Sequence, residues 1–387
     1  MNSVGAYELR AWQKEALGLW REAGNKGIVE VVTGGGKTIF ALSCIKALGP
    51  DTSFVIVPTV ALLDQWWEEA ADFFDVSLDD INVITANGRV REGTVNMAVL
   101  NTAAKMPLEK RKRPYFLIVD ECHKAASPKF RKALDGPAIA SLGLSATPER
   151  PYDEGLTEVL VPKLGPVIYR YNYKDALRDK VIVPFALNNI VFELEPDLQQ
   201  EYDKLTGAIG RSIARHGMED EKTIALLLRR ARIVNMSLNR IRLALKIIKA
   251  HKGERTIVFH EDISAATVIQ EVLAEAKIKA GVYHSKMTVR KRAEVLAAYR
   301  RGELDVLVTC RALDEGFNVP ETEVGIIAAS TATRRQRIQR LGRVLRPVPG
   351  KGRATVYSLV ATEPEIKRLR DEEKDLDGVA AVTWGRA

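Results

Sequence analysis

An apolar run, a glycine-rich turn and a second apolar run follow one another near the start of the chain, and this order restricts the fold more than any other feature. Residues 28–32 are predicted to form a buried strand, residues 33–38 read Thr-Gly-Gly-Gly-Lys-Thr, and residues 39–45 are predicted to lie in a buried helix. Backbone N–H groups of such a loop, at the N-terminus of a helix, bind phosphate groups. The order therefore predicts a nucleotide-phosphate loop, with Lys37 on the β- and γ-phosphates and the Thr38 hydroxyl on Mg²⁺.

The loop departs from the complete phosphate-loop pattern at one position. Val31 stands where the pattern G-x-x-x-x-G-K-[ST] has its first glycine. An ordinary strand-to-helix turn that ends in Lys-Thr is therefore the alternative interpretation. The remaining glycines favour phosphate binding, because glycine tolerates positive φ and lets the backbone approach a ligand closely. These glycines are Gly34, Gly35 and Gly36.

Short apolar runs alternate with helical segments through the rest of the first half. Runs without polar alternation indicate strands that are covered on both faces, and hence a parallel sheet with helices on either side. In such sheets ligands bind beyond the carboxyl ends of the strands. The runs are residues 53–57, 82–85, 95–100, 115–119 and 139–144. The predicted fold class is therefore α/β.

The carboxyl ends of the last two runs carry polar side chains with a chemical use. After the first of them, Asp120 can hold Mg²⁺, and Glu121 can orient and deprotonate an attacking water molecule. His123 lies two residues further. Ser145 and Thr147 follow the other run, where their hydroxyl groups can bond to His123 or to a carboxylate and sense the nucleotide state. A solvated turn is the alternative interpretation of each segment.

Length and composition set broader limits. With 387 residues the chain is long enough for two or three domains, and its net charge of +8 favours a polyanionic partner. The three cysteines are far apart in the sequence, so they form neither a metal-binding spacing nor a disulfide framework. The chain shows no leader segment and no apolar run long enough to span a membrane. We therefore expect a cytoplasmic protein that does not enter a membrane.

Five segments of the first half, taken in order, resemble the motifs of superfamily 2 helicases. They are Leu-Arg-Ala-Trp-Gln (9–13), Thr-Gly-Gly-Gly-Lys-Thr (33–38), Val-Pro-Thr (57–59) with Asp-Gln-Trp (64–66) downstream, Asp-Glu-Cys-His (120–123) and Leu-Ser-Ala-Thr-Pro (144–148). The chain is most similar to the type III restriction and excision-repair helicase group, of the DExH type. This resemblance accounts for Val31, because the superfamily lacks the first glycine. It also implies that Gln13 reads the adenine base, although alone Gln13 is typical of a solvated helix residue.

The second half completes the resemblance. Residues 255–260 are similar to motif IV, residues 307–320 to motif V, residues 339–347 to motif VI, and residues 283–287 to the segment before the helix that carries Arg292. By this resemblance Gly316 and Asn318 bind the nucleotide, although Asn318 stands where the family more often has Asp. Arg343 and Arg346 are the implied arginine fingers, and Gln339 lies near the γ-phosphate. A basic helix face is the alternative for the two arginines.

The resemblance implies two tandem RecA-like P-loop NTPase domains with a helical insertion, and ATP with Mg²⁺ as the ligands bound between them. We place the first domain at residues 1–165, connecting strands and a basic helical insertion at residues 166–252, and the second domain at residues 253–387. The residues implied to contact a nucleic-acid strand are Pro58, Thr59, His284 and Thr309.

The insertion holds the excess positive charge. Between residues 211 and 252, Lys and Arg number eleven and Asp and Glu three, a difference equal to the net charge of the whole chain. Arg242, Lys246 and Lys249 form a stripe at helical spacing, on the face that is free to bind phosphate groups. A solvated basic helix explains the pattern equally well. The apolar stripe predicted to pack inward is Leu238, Ile241, Leu245 and Ile248.

Residues 376–387 show little periodicity and are predicted to be a loosely held tail. Three functions fit the whole pattern. The first is an ATP-dependent DNA helicase or translocase that acts on single-stranded, forked or duplex DNA. The second is an RNA helicase. The third is a nucleic-acid-stimulated ATPase that acts as a clamp or switch subunit in a larger complex.

Overall fold

The structure is a computed structural model that describes residues 8–85, 88–148, 154–310, 322–329, 344, 352–376 and 378–387. The chain forms two compact units, and it passes from the first to the second between Ala176 and Leu177. Each unit is built around one sheet, and each sheet has seven strands among the described residues. The predicted α/β fold class is confirmed.

The first unit contains a parallel sheet with the strand order β3-β4-β2-β5-β6-β1-β7. Its strands are β1 (Lys26–Val31), β2 (Ser53–Val57), β3 (Asn82–Ile84), β4 (Val95–Val99), β5 (Tyr115–Asp120), β6 (Ala138–Ser145) and β7 (Val167–Tyr171). The helices of this part of the chain are α1 (Ala11–Glu22), α2 (Lys37–Leu48), α3 (Val60–Phe74), α4 (Leu100–Ala103), α5 (Val161–Leu164) and α6 (Tyr173–Arg178).

The second unit has the strand order β10-β11-β9-β12-β13-β8-β14, and its pairs are also parallel. Its strands are β8 (Phe185–Val191), β9 (Thr256–His260), β10 (Ala280–His284), β11 (Val306–Cys310), β12 (Val324–Ile327), β13 (Ala354–Val360) and β14 (Ala380–Arg386). Its described helices are α7 (Pro196–His216), α8 (Glu221–Met236), α9 (Leu238–Ala250), α10 (Ile263–Glu275), α11 (Val289–Arg300) and α12 (Glu363–Glu373).

Local sequence explains where the helices of the first unit begin and end. All residues of β2 and β5 are buried, as expected for strands covered on both faces. Helix α3 starts where the Thr59 side chain accepts a hydrogen bond from the Leu62 N–H, at 3.3 Å, and it stops at Asp75 in the left-handed conformation. In the described part of the chain, no helix has the length and apolar character needed to cross a membrane.

The strand pairing also shows which sheet each connecting segment joins. Strand β7, which begins just after residue 165, pairs with β1 in the first sheet. Strand β8 lies between residues 166 and 252, and it pairs with β13 and β14 in the second sheet. Helix α9 contributes side chains to the core of the second unit. The three-part division at residues 165 and 252 stays a prediction.

The C-terminal segment differs from the prediction of a loosely held tail. Strand β14 pairs with β8 along its whole length, from Ala380 beside Phe185 to Arg386 beside Val191. The Trp384 indole N–H also donates to Glu373 Oε2 at 3.0 Å. The prediction was wrong because an edge strand with one solvated face needs little apolar periodicity, and backbone hydrogen bonds to its neighbour hold it in place.

Helix α9 buries a wider face than the sequence indicated. Leu238, a member of the predicted apolar stripe, is 54% exposed because it starts the helix. Leu243, Ala244 and Ile247 are buried instead, together with the predicted Ile241 and Ile248. Ile241, Leu245 and Ile248 of the predicted stripe pack into the core, and the buried face is wider than the stripe because a helix that packs into a core presents more than one row of side chains to it.

Arg240 of α9 is fully buried, although the sequence counts it with the excess positive charge. Its guanidinium donates to the backbone carbonyls of Val234 at 3.1 Å and Leu359 at 2.9 Å, and to Glu365 Oε1 at 3.0 Å. A third carbonyl, that of Ala328, accepts from the same group. One buried cation therefore links α8, β13, α12 and the residue that directly follows β12.

Substitution of Arg240 by Met should destabilise the second unit by about 3–5 kcal/mol, because removal of one partner leaves a buried carboxylate uncompensated. Arg242→Met on the same helix is the matched control, since Arg242 is exposed, and it should change the unfolding free energy by less than about 1 kcal/mol. Urea unfolding followed by circular dichroism measures both. Equal stability of the two variants would contradict the structural role of Arg240.

Candidate nucleotide site and nucleic-acid surface

The glycine-rich loop joins β1 to α2 and needs glycine for two separate reasons. Gly36, the residue that caps α2, has a φ of 96°, a conformation that side chains with a Cβ rarely adopt. At Gly35 a Cβ would collide with the side chain of Val31. Val31, which stands where the common pattern has its first glycine, thus packs directly against the loop.

Lys37 begins α2, and its side chain reaches the end of β5. Its Nζ lies 3.2 Å from Glu121 Oε1, and each side chain retains only 12% of its exposure. Burial lowers the pKa of Lys37, but the facing carboxylates of Glu121 and Asp120 raise it by more, so the net shift is upward. The ammonium group is therefore charged in this buried position.

The two carboxylates at the end of β5 have different surroundings. Asp120 Oδ1 accepts the Glu121 N–H at 2.9 Å, and Asp120 Oδ2 accepts the indole N–H of Trp66 at 2.9 Å. Burial raises the pKa of Asp120 to about 6, although Lys37 opposes that shift. Burial also raises the pKa of Glu121, but Lys37 and His123 lower it by more, so this carboxyl lies below its ordinary value. The ion pair with Lys37 thus favours the charged form of Glu121.

A polar chain links Glu121 to the end of β6. His123 Nδ1 lies 3.5 Å from Glu121 Oε2 and 3.0 Å from the Ser145 hydroxyl, with donor and acceptor set by the tautomer. The Thr147 backbone N–H donates to that hydroxyl at 3.1 Å. The structure therefore brings together the three residues for which the sequence suggested a sensing role, His123, Ser145 and Thr147.

Gln13 is buried, with 2% of its surface exposed, and it contacts the loop. Its Oε1 accepts the Arg10 N–H at 2.8 Å, and its Nε2 donates to the Gly36 carbonyl at 3.0 Å. Arg10 also donates from its guanidinium to the Gly35 carbonyl at 3.3 Å. The start of α1 thus holds the backbone of the loop from one side, which excludes a solvated position for Gln13.

Two contacts of this site, those of Arg10 and Trp66, were not predicted. Both residues lie in segments singled out in the sequence, Arg10 in residues 9–13 and Trp66 in residues 64–66. A buried tryptophan needs a hydrogen-bond acceptor for its N–H, and for Trp66 this need was the one indication of such a contact in the sequence. The sequence does not indicate which of many acceptors would fill it.

The oxygen donors at the loop fit a hard cation. The Thr38 hydroxyl and the Asp120 carboxylate are ligands that Mg²⁺ accepts, and each Asp120 oxygen keeps a lone pair beyond its one hydrogen bond. Within the described residues there is no cluster of three or more His, Cys, Asp or Glu side chains that would hold a metal alone. These residues suit a metal that takes its remaining ligands from phosphate and water.

Five predicted site residues lie outside the described part of the chain. They are Gly316, Asn318, Gln339, Arg343 and Arg346. Their predicted roles in nucleotide binding and hydrolysis stay predictions.

The predicted strand-binding residues differ in accessibility. Pro58 and Thr59 are half-buried at the start of α3, and His284 is half-buried at the end of β10. Thr309, in β11, is 1% exposed, so its side chain is closed to a ligand in this structure. On α9 the three members of the basic stripe are all exposed, namely Arg242, Lys246 and Lys249.

Comparison with known proteins agrees with this geometry. Residues 6–150 match the family model described as type III restriction enzyme, res subunit, and residues 239–348 match the helicase conserved C-terminal domain. The Pyrococcus furiosus Hef helicase domain has a similar fold, with a TM-score of 0.56 at 18% identity over 94% of this chain and 98% of that one. A type ISP restriction-modification enzyme, LlaBIII bound to DNA, gives a TM-score of 0.68 at 14% identity over 99% of this chain and 31% of that one.

Two curated relatives extend over most of the chain. The DNA 3'-5' translocase XPB2 of Sulfurisphaera tokodaii is 28% identical over 88% of this chain and 79% of its own length. The DNA 3'-5' helicase XPB of Kineococcus radiotolerans is 27% identical over 92% of this chain, which spans 60% of that relative. The fold and the loop define a P-loop protein with two RecA-like units. The chain belongs to the superfamily 2 helicases.

Substitution of Lys37 by Ala should abolish ATP turnover, because it removes the cation that faces both carboxylates and the phosphate positions. Lys46→Ala, an exposed lysine on the same helix, should turn over ATP at the parental rate. Steady-state phosphate release measures turnover, and circular dichroism checks that both variants are folded. Parental turnover in Lys37→Ala would mean that the loop is not the nucleotide site.

Proposed function

We propose that this protein hydrolyses ATP and uses the free energy to translocate along DNA or to unwind it. The observation that carries the proposal is the convergence of Lys37, Asp120 and Glu121 at the glycine loop. The names of the curated relatives support DNA as the polymer. The chain spans 79% and 60% of the length of these two relatives, so the proposal concerns the part of them that it matches.

We assign the hydrolytic roles from the contacts of the first unit. The N–H groups of Gly34, Gly35 and Gly36 bind the phosphates, with Lys37 on the β- and γ-phosphates. Thr38 and Asp120 hold Mg²⁺, which offsets phosphate charge. Glu121, whose Oε1 lies 3.2 Å from Lys37 Nζ beside the loop, accepts a proton from the attacking water. Gln13 contacts the adenine base as well as the loop backbone, and since it is 2% exposed, the contact with adenine requires a local rearrangement.

The remaining roles are proposed from the family resemblance. Arg343 and Arg346 stabilise the transition-state charge, Gln339 lies near the γ-phosphate, and Gly316 with Asn318 contacts the nucleotide. His123, Ser145 and Thr147 transmit the nucleotide state. The chain is proposed to be of the DExH type, which its Asp-Glu-Cys-His segment supports.

The proposed contacts with the nucleic-acid strand come from both units. They are Pro58, Thr59, His284, Thr309, Arg242, Lys246 and Lys249. Since Thr309 is buried, its contact requires a local rearrangement of β11. A role within a larger complex has one supporting observation: relatives in Arabidopsis thaliana are subunits of general transcription and DNA repair factor IIH. The cysteines Cys44, Cys122 and Cys310 are buried and are not joined in disulfide bonds, which supports a reducing, cytoplasmic location.

ATPase stimulation by different polymers tests the proposed function. Phosphate release should rise with single-stranded, forked or duplex DNA and less with RNA, and a labelled strand should be displaced from a forked duplex. Stronger stimulation by RNA would favour an RNA helicase. DNA-stimulated ATPase without translocation or strand displacement would favour a clamp or switch subunit.

Substitution of Glu121 by Gln should leave ATP binding intact and lower kcat roughly 10²–10⁴-fold, because an amide cannot accept the proton of the water. Equilibrium binding of a fluorescent ATP analogue and single-turnover hydrolysis separate the two effects. Glu22→Gln, an exposed position on α1, is the control and should retain the parental kcat. A near-parental kcat in Glu121→Gln would refute the assignment of Glu121 as the base.

Reversal of Arg242, Lys246 and Lys249 to Glu should weaken single-stranded DNA binding with little dependence on base sequence. Each lost phosphate contact should lower the slope of log K against log salt by about 0.7, and three contacts by about two. Basal ATPase should persist, because α9 carries none of the nucleotide residues, whereas stimulated ATPase should fall.

The control for this triple reversal changes the same amount of charge elsewhere. Lys129, Arg131 and Lys132 are exposed cations of the first unit, and their reversal to Glu should leave the salt slope nearer to the parental value. Fluorescence anisotropy at several salt concentrations measures both slopes. An unchanged slope in the α9 variant would show that its basic stripe is only a solvated face.

A further inference from the structure

Helix α3 connects two parts of the first unit that have separate proposed roles. Its first residue follows Pro58 and Thr59, the proposed strand contact, and the Thr59 side chain caps the helix. Trp66 lies about two turns, or roughly 10 Å, further along the same helix. Its side chain is fully buried, and its indole N–H donates to Asp120 Oδ2 at 2.9 Å. The same helix thus begins at the proposed strand contact and carries the donor to the proposed metal ligand.

This hydrogen bond fixes the plane of the Asp120 carboxylate. Oδ1 accepts from the backbone N–H of Glu121, the residue after β5, so the two oxygens have separate donors, one next to Asp120 in the chain and one from α3. The Glu121 N–H belongs to the residue that directly follows Asp120 and is not part of α3. The Trp66 contact is therefore the one through which a displacement of α3 changes the orientation of the carboxylate.

We propose that Trp66 is a positioning residue that orients Asp120 for its metal and makes that orientation depend on the strand bound at the start of α3. The inference rests on the proposed function, since it takes Asp120 as the Mg²⁺ ligand and Pro58 with Thr59 as a strand contact. Partners that hydrogen-bond to metal ligands commonly change metal affinity 10–100-fold when they are removed. Loss of the indole N–H should therefore weaken metal binding without removing any ligand.

The test uses Mn²⁺ in place of Mg²⁺ and a non-hydrolysable ATP analogue, and it measures the Kd of Mn²⁺ by electron paramagnetic resonance. Trp66→Phe keeps a buried aromatic ring but removes the N–H, so its Kd should rise at least about 10-fold. The matched control is Trp20→Phe. Trp20 is also fully buried in the first unit and donates its N–H to the Ser141 carbonyl at 3.0 Å, away from the loop. Its Kd should stay at the parental value.

A second arm adds a single-stranded oligonucleotide to the same samples. In the parental protein and in Trp20→Phe, the oligonucleotide should change the Kd of Mn²⁺, whereas in Trp66→Phe this response should be lost. A Trp66→Phe variant with parental Kd, or with the parental response to the oligonucleotide, would overturn the inference. Binding of the analogue in EDTA confirms that each variant is folded.

Asp120→Ala separates failure of this inference from failure of the proposed site. If Asp120→Ala raises the Kd and Trp66→Phe does not, only the positioning role is refuted. If Asp120→Ala leaves the Kd unchanged, the proposed metal site and this inference are both refuted. If Trp66→Phe does not fold, the test uses nitrogen-15 spectra of the five indole N–H groups of the parental protein instead. The Trp66 resonance is assigned by substituting the other four tryptophans one at a time. The Trp66 resonance should shift on adding metal and again on adding the oligonucleotide, and no shift in either step would overturn the inference.

Discussion

Three buried ionisable groups at the carboxyl end of β5 impose the main constraint on the first unit. The ammonium of Lys37 faces two carboxylates, those of Asp120 and Glu121, so the space holds more negative than positive charge. The pKa of Asp120, which burial raises to about 6, expresses the cost of holding the second carboxylate there. A bound cation offsets that cost, because it adds positive charge beside oxygen donors. The charges of the site without a ligand are therefore already suited to a phosphate group that carries a metal cation.

The topology of the sheet explains why a lysine makes this contact. Strands β5, β6 and β1 are neighbours, with β6 between the other two. Adjacent strands lie about 4.8 Å apart, so the ends of β1 and β5 are separated by about 10 Å. A long side chain at the start of α2 is needed to cross β6. Lys37 has that length, and Ser145 at the end of β6 faces His123 on the same edge. Parallel pairing thus gathers residues from three separate segments.

The sequence predicted the placement of site residues where that placement depends on a local pattern, and their chemical roles stay predictions. Lys37, Asp120 and Glu121 were identified because a glycine loop and a strand end are defined by neighbouring residues. The contacts of Arg10 and Trp66 with this site were not predicted, because each depends on an acceptor far away in the chain. The same reason applies to residues 376–387, whose strand is defined by its pairing with β8 rather than by its own pattern. These contacts and this strand depend on partners that are distant in the sequence, and the local pattern of residues does not identify those partners.

The two arginines at positions 240 and 242 show the limit of counting charges along a helix. Both add to the positive excess of the sequence, yet Arg240 is fully buried against backbone carbonyls and Glu365, while Arg242 is exposed. Successive positions in a helix are about 100° apart, so residues two apart lie on nearly opposite faces. The buried arginine keeps its charge compensated within the protein and offers nothing to a polyanion. The exposed basic surface of α9 is consequently smaller than the count of charges suggests, and it includes the stripe of Arg242, Lys246 and Lys249.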